Sequence, residues 1–464
     1  MENQITTSEQ VKIIRIEMSS DMILERFDNQ PLILAGEAGG HPIVAELSIY
    51  ENIIYPFLTG SMVMQDDHDL YRLIDLNGTE KITVEYQISD KSLPSITKIF
   101  YITNLVSSTK TNDYTSILAF NLIEDIGYFD LIQPISRYYD GKGEDIIRDM
   151  ISDALSRQVD LTNAKDSFQS SFRYIVPYIS AFAASKIVLD KMSTELGLPY
   201  FLFATLGSDA ITLTDLETIM NNDPLNKDNP FTYSQAQTQL TDLKSQALSI
   251  HSYEGYNLED TLKLAQNGAI GSRYININAS TGEVLDEHLD MEAHLQILID
   301  NKLLNKNSKP LLSNNNKFIV DPSGNNRNRL SDFDSKVIAD ISSIVYPNSD
   351  IGSFHGEDRK EYNKLTIIKN YFLQLMQKNI YSIFVPGLVF LLNAKMTVGT
   401  QIAIEVFKNS PAPHPGLGKD MLIDEKRSGN YVILAKRHIF DIVEETHNVS
   451  LEVSRISNAE TIDT

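Results

Sequence analysis

The sequence contains no cysteine and no tryptophan. Without cysteine the chain forms no disulfide, no thiolate zinc site and no cysteine nucleophile. The composition fits folding in a reducing cytoplasm. It also tolerates exposure outside a cell, because only the 12 methionines offer sulfur to oxidation.

Basic residues are scarce relative to acidic ones, with 40 Lys and Arg against 62 Asp and Glu, so the formal charge is −22. Phosphate binding requires clustered lysine and arginine, and this excess argues against a protein that wraps nucleic acid. An acidic surface suits a conduit that repels passing DNA better than a site that holds it. The same charge is also common in proteins that are merely soluble.

Long apolar runs are missing as well. The longest, 380–392, is interrupted by Ser382, Pro386 and Gly387 and is shorter than the ~20 residues that span a bilayer. The first ten residues, MENQITTSEQ, lack the basic and apolar regions of a secretory signal. We therefore expect no membrane partner.

Catalytic motifs are incomplete. The segment 415–420, PGLGKD, resembles a phosphate-binding loop, but Asp420 stands where Ser or Thr would hold magnesium, and Pro413 precedes it in place of a glycine. Ser107 and Lys110 form a Ser-x-x-Lys pair that has no partner motif. We expect a flexible loop in the first case, no nucleophile in the second, and no cofactor.

Metal-binding patterns are weak too. Residues 66–69 read Asp-Asp-His-Asp, but neighbours in extended chain point to opposite sides, so an exposed turn is the expected structure. His288 and His294 are six residues apart on a predicted helix, which is the wrong spacing for a helical metal pair. We predict no metal site and no catalytic residue.

The first 125 residues consist mostly of short segments in which apolar and polar residues alternate. The clearest is 81–88, where Ile82, Val84, Tyr86 and Ile88 share one face. Further strands are predicted over 44–50, 61–64, 96–105 and 115–123, with a turn at Asn77-Gly78. Five or more short strands at this spacing indicate a small barrel or a sandwich.

Residues 126–220 show a mixed pattern. Apolar stripes predict helices over 144–158 and 178–196, the second followed by Gly197 in the C-cap position. Two apolar runs between 200 and 213 flank Gly207-Ser208-Asp209 and predict a hairpin. This part is expected to be an α+β unit.

The remaining residues alternate between polar loops and ordered segments. Polar composition predicts a linker over 221–246 and a loop over 305–334, while Asn257 and Asp260 resemble a capping pair that opens a short helix. Periodicity predicts a strand over 271–279, helices over 285–304 and 365–378, and strands over 400–407, 431–434 and 449–453. A Pro- and Gly-rich loop is expected over 410–419.

The segment 49–88 contains an ordered series of motif positions: an aromatic and acidic pair, a proline, a strand-opening glycine, an acid, and a Gly-x-Glu turn, at Tyr50 with Glu51, Pro56, Gly60, Asp66 or Asp67, and Gly78 with Glu80. In this order they resemble the first tube domain of the baseplate hub family of contractile phage tails. Related tube domains occur in the spike proteins of type VI secretion. Gly60 and Gly78 fit turns, and Pro56 fits a protected strand edge.

Two further segments resemble the same family, whereas 301–360 matches no part of it. Residues 138–155 contain an extended piece that leads to Gly143 and an amphipathic helix. The C-terminal part resembles the second tube domain through Gly387, Gly399, Ser428, Gly429, Tyr431 and His438.

The resemblance implies an α+β protein with two small antiparallel β-barrel tube domains, separated by an α+β domain and helical and loop-rich insertions. The expected boundaries are 1–125 for the first tube domain and 126–245 for the α+β domain. Strands over 246–280 would join the second tube domain, 281–370 would form the insertion, and 371–464 the second tube domain.

The resemblance also implies a structural virion protein that is not an enzyme. Three chains would present six barrels in a ring, so that a homotrimer acts as a symmetry adaptor between a hexameric tail tube and a trimeric spike. The expected partners are a tail tube protein, a spike protein and other baseplate proteins. DNA would pass through the channel without specific binding, and assembly would take place in the bacterial host cytoplasm.

Two other functions stay open at this stage. One is a tail-associated peptidoglycan hydrolase with catalytic carboxylates within 126–360, because such pairs are spaced in three dimensions and not along the sequence. The other is a glycan-binding tail-tip module that would use some of the 21 tyrosines. Those tyrosines are scattered among predicted strands, where packing also explains them.

Overall fold

The computed structural model describes residues 12–36, 43–67, 70–73, 76–87, 95–168, 172–233, 247–256, 261–266, 268, 270–278, 282–289, 291–303, 319–320, 328–329, 332–342, 365, 368–374, 376–377, 380–387, 395–408, 423–424 and 427–455. They form an α+β protein, as predicted, in which one large and mainly antiparallel sheet has 13 strands. None of the helices within these ranges is long and apolar enough to cross a membrane.

The first β unit contains seven strands in the order β2-β1-β5-β6-β7-β4-β3, with two short helices. Its elements are β1 (Lys12–Ser19), α1 (Asp21–Arg26), β2 (Leu32–Gly36), β3 (Val44–Asn52), β4 (Thr59–Asp66), α2 (Leu70–Leu73), β5 (Lys81–Gln87), β6 (Ile96–Lys110) and β7 (Ser116–Glu124). The alternation predicted for 81–88 is confirmed as far as residue 87, where the described residues end, because Ile82, Val84 and Tyr86 are buried while Thr83 and Glu85 are partly exposed.

The two ends of this unit approach each other at Ile43. Its amide donates to the carbonyl of Leu34 in β2 (2.8 Å), and its carbonyl accepts from the amide of Gln65 in β4 (2.8 Å). Strands that stand far apart in the sheet order are thus joined at one residue.

An α+β unit follows directly. Its elements are α3 (Asp125–Ile132), β8 (Tyr138–Gly141), α4 (Gly143–Leu155), β9 (Val159–Asp160), β10 (Phe172–Ile175), α5 (Ala181–Leu189), β11 (Tyr200–Phe203), β12 (Ile211–Asp215) and α6 (Leu216–Asn221). The predicted hairpin is confirmed, since β11 and β12 pair in antiparallel register. Its core lies between α4, α5 and these short strands.

The helix predicted over 178–196 is shorter than expected. It starts after Ser180, whose hydroxyl accepts from the amide of Ala183, and it ends at Leu189. The chain then turns and buries Met192 against Gly143. Gly197 is not the helix C-cap but lies in a later turn, where its amide donates to the carbonyl of Thr194.

The next part of the chain supplies two strands to the large sheet and a separate layer. The elements are β13 (Phe231–Tyr233), β14 (Ser252–Tyr256), α7 (Thr261–Gln266), β15 (Ser272–Asn278), β16 (Val284–Leu289), α8 (Met291–Asp300), β17 (Ile319–Val320), β18 (Asn328–Arg329) and β19 (Lys336–Ser342). Residues 368–374 are helical, as predicted. Strands β16, β15 and β19 form a sheet of their own.

Two predictions for this part are wrong. Residues 231–233 were expected in a linker, but they form β13, because Phe231 is buried and the strand pairs with residues 404–406. Residues 285–289 were expected in a helix, but they pair with β15 from Val284 to Leu289. Asn257, Asp260, the phosphate-loop-like segment 415–420 and most of 305–334 lie outside the described residues.

The second β unit combines β13 and β14 with β20 (Ile380–Pro386), β21 (Gln401–Val406), β22 (Gly429–Asp441) and β23 (Thr446–Ser454). The segment before β14 is hydrogen-bonded to β13: the amide of Thr232 donates to the carbonyl of Leu248 (2.9 Å), and the amide of Ile250 donates to the carbonyl of Thr232 (2.9 Å). The next residue bonds to β20, because the amide of His251 donates to the carbonyl of Phe384 (2.7 Å).

Strand β22 connects the two β units. Its first residues pair with β21, and residues 435–441 pair with β3 of the first unit. Along its other edge it pairs with β23. The two units therefore share one continuous sheet, although each packs against its own hydrophobic core.

Candidate functional site

A buried cluster of charged and polar side chains lies where β22 crosses from one unit to the other. Glu51 of β3 is 1% exposed and stands 3.8 Å from the ammonium of Lys436 in β22. The same carboxylate accepts from the amide of Leu206 (2.9 Å) and the hydroxyl of Thr397 (2.5 Å). Lys436 donates to the carbonyl of Met396 (3.1 Å). We call these groups, with His438 and His447, the junction cluster.

The two histidines extend the junction cluster into β23. His438 Nε2 lies 3.4 Å from Glu51 Oε1, and His438 Nδ1 lies 3.0 Å from His447 Nε2. One tautomer assignment fits both distances: His447 donates from Nε2 to His438, which turns its own Nε2 proton toward the carboxylate. His447 Nδ1 is then a buried acceptor that meets no hydrogen-bond donor in the described part of the chain.

The pKa values in the junction cluster shift in opposite directions. Burial acts to raise the pKa of Glu51, but the charge of Lys436 and the imidazole N–H of His438 outweigh it and hold that pKa well below its usual range. Burial, reinforced by Lys436, lowers the pKa of His438 to about 4. Burial also lowers the pKa of His447. At neutral pH the carboxylate is therefore ionised and both imidazoles are neutral.

The junction cluster predicts that acid destabilises the protein. His438 binds a proton near pH 6.5 when the chain is unfolded but only near pH 4 when it is folded. The stability that depends on a neutral His438 is therefore fully present above pH 6.5 and is lost as pH falls toward 4. The difference amounts to about 3 kcal/mol. We expect His438→Gln to flatten the dependence of the free energy of unfolding on pH between 7 and 4.5, measured by urea denaturation.

The partly exposed His288 provides the control for this prediction. His288→Gln should change that slope less than His438→Gln does, because both partners of its ion pair with Asp334 are about 40% exposed and solvent screens the pair. An equally steep slope in the His438 variant would show that other groups cause the acid sensitivity.

Gly387, predicted as a family-motif position, lies directly against the junction cluster. Its amide donates to the carbonyl of His447 (3.0 Å), and a Cβ at this position would stand 2.0 Å from His447 Nδ1. Only glycine lets the backbone after β20 approach the imidazole this closely.

A second buried cluster joins the first β unit to the α+β unit. Lys98 of β6 is 3% exposed and donates to the carbonyl of Ser208 (2.6 Å) and to Asp209 (3.0 Å), both in the β11–β12 turn. Glu124 stands 3.5 Å from the same ammonium and accepts from the amide of Leu58 (2.8 Å). Burial raises the pKa of Glu124 despite Lys98. The cluster fixes the turn against the sheet.

The predicted acidic positions of the first unit act as local caps. Asp66 accepts from the amides of Leu70 (2.8 Å) and Tyr71 (3.0 Å) at the start of α2. Glu80 accepts from the amides of Asn77 (2.8 Å) and Gly78 (2.9 Å) and closes that turn. No group of three or more potential metal ligands occurs among the described residues.

Other family-motif positions are packing sites. A Cβ on Gly60 would stand 2.8 Å from the carbonyl of Ser48, and one on Gly143 would stand 2.7 Å from Met192 Sδ. Gly399 has φ +75° and donates to the carbonyl of Ile433 (2.9 Å). Gly60 lies within β4 and not in the expected turn, and it lets the backbone of Ser48 approach; Gly143 makes room for the side chain of Met192; and Gly399 adopts a left-handed conformation.

The remaining predicted positions lie along β3 and β22. Tyr50 contacts the hydroxyl of Ser61 (3.3 Å), and the guanidinium of Arg437 lies over its ring. Pro56 is in the bend between β3 and β4. Gly429 begins β22, and the hydroxyl of Ser428 just before it accepts from the amide of Val406 (2.8 Å). Further along the strand, the guanidinium of Arg455 lies over the ring of the buried Tyr431.

The structure thus brings His438 and Gly387 together near Glu51, whereas Tyr50, on the opposite face of β3 with Arg437, and the other predicted positions lie elsewhere in both units. Sequence reasoning missed Lys436, His447, Thr397 and Lys98. One signal was available: Lys436, His438 and Phe440 alternate along β22, which places them on one face. The junction cluster is buried, and its hydrogen bonds and ion pair hold strands β3, β22 and β23 together.

No protein-family model matches the sequence, and no curated protein is significantly similar to it. Solved structures are similar. The 43 kDa tail protein of prophage MuSo2 from Shewanella oneidensis is 9% identical, with a TM-score of 0.50 over 98% of this chain and 100% of that chain.

Two further structures are similar at lower scores. The tail protein of Neisseria meningitidis MC58 is 10% identical, with a TM-score of 0.47 over 97% of this chain and 98% of that chain. A chain of the half-lidded Francisella PdpA–VgrG complex is 9% identical, with a TM-score of 0.43 over 98% of this chain and 59% of that chain. The likeness to the MuSo2 tail protein shows that the two proteins share a fold over almost the whole of both chains.

Proposed function

We propose that the chain is a structural protein of a phage-type tail, a baseplate hub that assembles as a homotrimer and is not an enzyme. The observation that carries this proposal is a fold shared with a prophage tail protein over the full length of both chains. In this role the protein joins a hexameric tail tube to a trimeric spike, and it also contacts other baseplate proteins of the virion.

Two features of the strands support the assignment of two tube domains. In the first β unit, backbone hydrogen bonds of Ile43 link β2 to β4. In the second, residues 248–251 link β13 to β20 in the same way. We propose that each unit is a small barrel, and that the second takes in β13, which the expected boundaries placed in the α+β domain, while β15 belongs to a separate sheet. Strand β22 pairs with both units, so that one chain presents two barrels side by side.

This arrangement makes a symmetry adaptor possible. Three chains with two barrels each provide six similar units for a hexameric tube, while the assembly retains a threefold axis for a spike. The buried clusters around Glu51 and Lys98 fix the units within one chain. Three copies carry 3 × −22 = −66 formal charges, which suits a channel that DNA crosses without specific binding.

The proposal predicts the mass of the particle in solution. Light scattering on purified protein at several micromolar concentrations should give 3 × 52.3 = 156.9 kDa. The mass should persist on moderate dilution, because a hub needs a stable ring. A particle of 52.3 kDa at every concentration, with or without added spike protein, would contradict the proposal.

A further inference from the structure

The C-terminal half of helix α3 has a reversed distribution of polar and apolar side chains, whereas Ile126 in its first turn is buried. Its charged residue Asp130 is buried, whereas Leu131 is 70% exposed and Ile132 is 58% exposed. Phe129 is also exposed. A surface helix of a globular protein ordinarily buries its apolar face, so this arrangement marks a surface that another molecule covers.

The neighbouring extended segments continue the same apolar surface. Tyr138 of β8 and Ile175 of β10 are direct partners in the ladder and both are exposed, while the next pair, Tyr139 and Tyr174, faces the core. Tyr178 is 71% exposed and has φ +53°, a conformation rare for a bulky residue. Backbone strain of this kind tends to occur at functional positions.

These residues are held in place by a rigid support. Asp130 accepts from the amide of Phe182 (2.9 Å) at the start of α5, which fixes the end of α3 beside residues 178–182. Ile135 pairs with Ile179 through a backbone bridge (2.8 Å). We call Phe129, Leu131, Ile132, Tyr138, Ile175 and Tyr178 the α3 surface.

Charge indicates which molecule covers the α3 surface. The chain carries −22 overall, so two copies repel each other over most of their surfaces. Segments 125–140 and 172–182, taken with their ion-pair partners Asp153 and Arg157, contain four aspartates and three arginines, so their sum is +3 − 4 = −1 and the region is nearly neutral. Arg173 pairs with Asp140 (3.4 Å) and Arg137 pairs with Asp153. Copies of an acidic chain meet at least cost where the surface is neutral and apolar.

We propose that the α3 surface is a contact between copies of this chain in the assembled particle, with a second copy as its occupant. This inference rests on the proposed function, because it takes self-association as given and assigns one of the surfaces that mediate it. Burial of the exposed leucine, isoleucine and tyrosines supplies the driving force. Acidic substitutions on the α3 surface should therefore dissociate the particle.

The test compares two double variants by light scattering. Leu131→Asp with Tyr178→Asp places two charges on the α3 surface. Leu262→Asp with Val443→Asp is the matched control, since these residues are 72% and 66% exposed and lie elsewhere. We expect the first variant to be a folded monomer by circular dichroism, and the control to keep the mass of the unmodified protein.

A second readout does not depend on a charged variant. Because the chain has no cysteine, Ile132→Cys can carry a single solvent-sensitive fluorophore. In the assembled particle its emission should lie further to the blue, and quenching by iodide should be at least twofold lower, than in monomers obtained by dilution far below micromolar concentration. This measurement also tests whether the α3 surface is covered in the particle if the double aspartate variant does not fold.

The outcomes separate this inference from the proposed function. An α3 variant that keeps the trimer, or a control that dissociates equally, overturns the inference and leaves the hub proposal intact. A label that is already shielded in diluted monomers shows that the chain covers the surface itself, which also overturns the inference. A monomeric unmodified protein contradicts the hub proposal and removes the basis for this contact.

Discussion

Replacing Glu51 by glutamine is expected to lower the free energy of unfolding by about 3–5 kcal/mol, because it leaves a buried ammonium without its countercharge. Glutamine keeps the shape of the side chain and an oxygen that can accept from the amide of Leu206. What it removes is the negative charge near Lys436 and His438. Urea denaturation at pH 7 measures the difference.

A surface carboxylate serves as the matched control for this variant. Glu46 also belongs to β3 and pairs with Arg437 of β22 (3.1 Å), but both side chains are about 40% exposed. Glu46→Gln should cost less than about 1 kcal/mol, because solvent screens an exposed pair. A similar loss in both variants would show that burial of Glu51 has no special role.

Removing both charges of the buried pair should restore much of the stability. In Glu51→Gln with Lys436→Met, no ammonium remains inside the junction, and uncharged replacements of a buried ion pair are often neutral. We expect the double variant to be more stable than Glu51→Gln alone. A double variant that loses the sum of the two single effects would contradict the account of a coupled pair.

Gly387→Ala is expected to destabilise the fold by about 3 kcal/mol, at the upper end of the usual cost of overpacking. The added methyl would stand 2.0 Å from His447 Nδ1, and the imidazole has little room to move because it stacks on Phe440 with ring centroids 4.5 Å apart. Either β20 or β23 must shift. Thermal and urea unfolding of the purified variant measure the loss.

A double-mutant cycle tests the cause of this loss. His447→Ala removes the imidazole, so that Gly387→Ala should cost less than about 1 kcal/mol in that background. Each single change is expected to destabilise, whereas the second change adds little once the first is present. An equal cost of Gly387→Ala in both backgrounds would place the strain elsewhere in the strand.

Local alternation was sufficient to predict several strands. The pattern of Ile82, Val84 and Tyr86 requires only a pleated strand over a core, and β5 has that structure. The amphipathic helix predicted over 144–158 is also present, from Gly143 to Leu155. In both cases the period of apolar residues matches the period of the backbone.

Elements that depend on distant partners were not predictable in the same way. Residues 285–289 have a composition that a helix tolerates, but pairing with β15 makes them a strand. Phe231–Tyr233 is too short to recognise, and its strand forms because residues 404–406 offer an edge. Tertiary pairing of this kind overrides local preference.

The buried charges show the same limit at the level of the site. Lys98 is buried only because Ser208 and Asp209, more than a hundred residues later, supply acceptors. Glu51 was noticed beside Tyr50 as a motif position, but its partners Lys436 and Thr397 lie more than 340 residues away in sequence. A sequence reveals a charge, whereas burial of that charge depends on the fold.

The measurement that tests the central proposal most directly is electron microscopy of purified particles viewed along their axis. The account predicts a ring with threefold symmetry, six lobes from two β units in each of three chains, and a central opening. Class averages that show a single compact particle without an opening, or a ring with another number of subunits, would contradict the proposal that this chain is a trimeric hub.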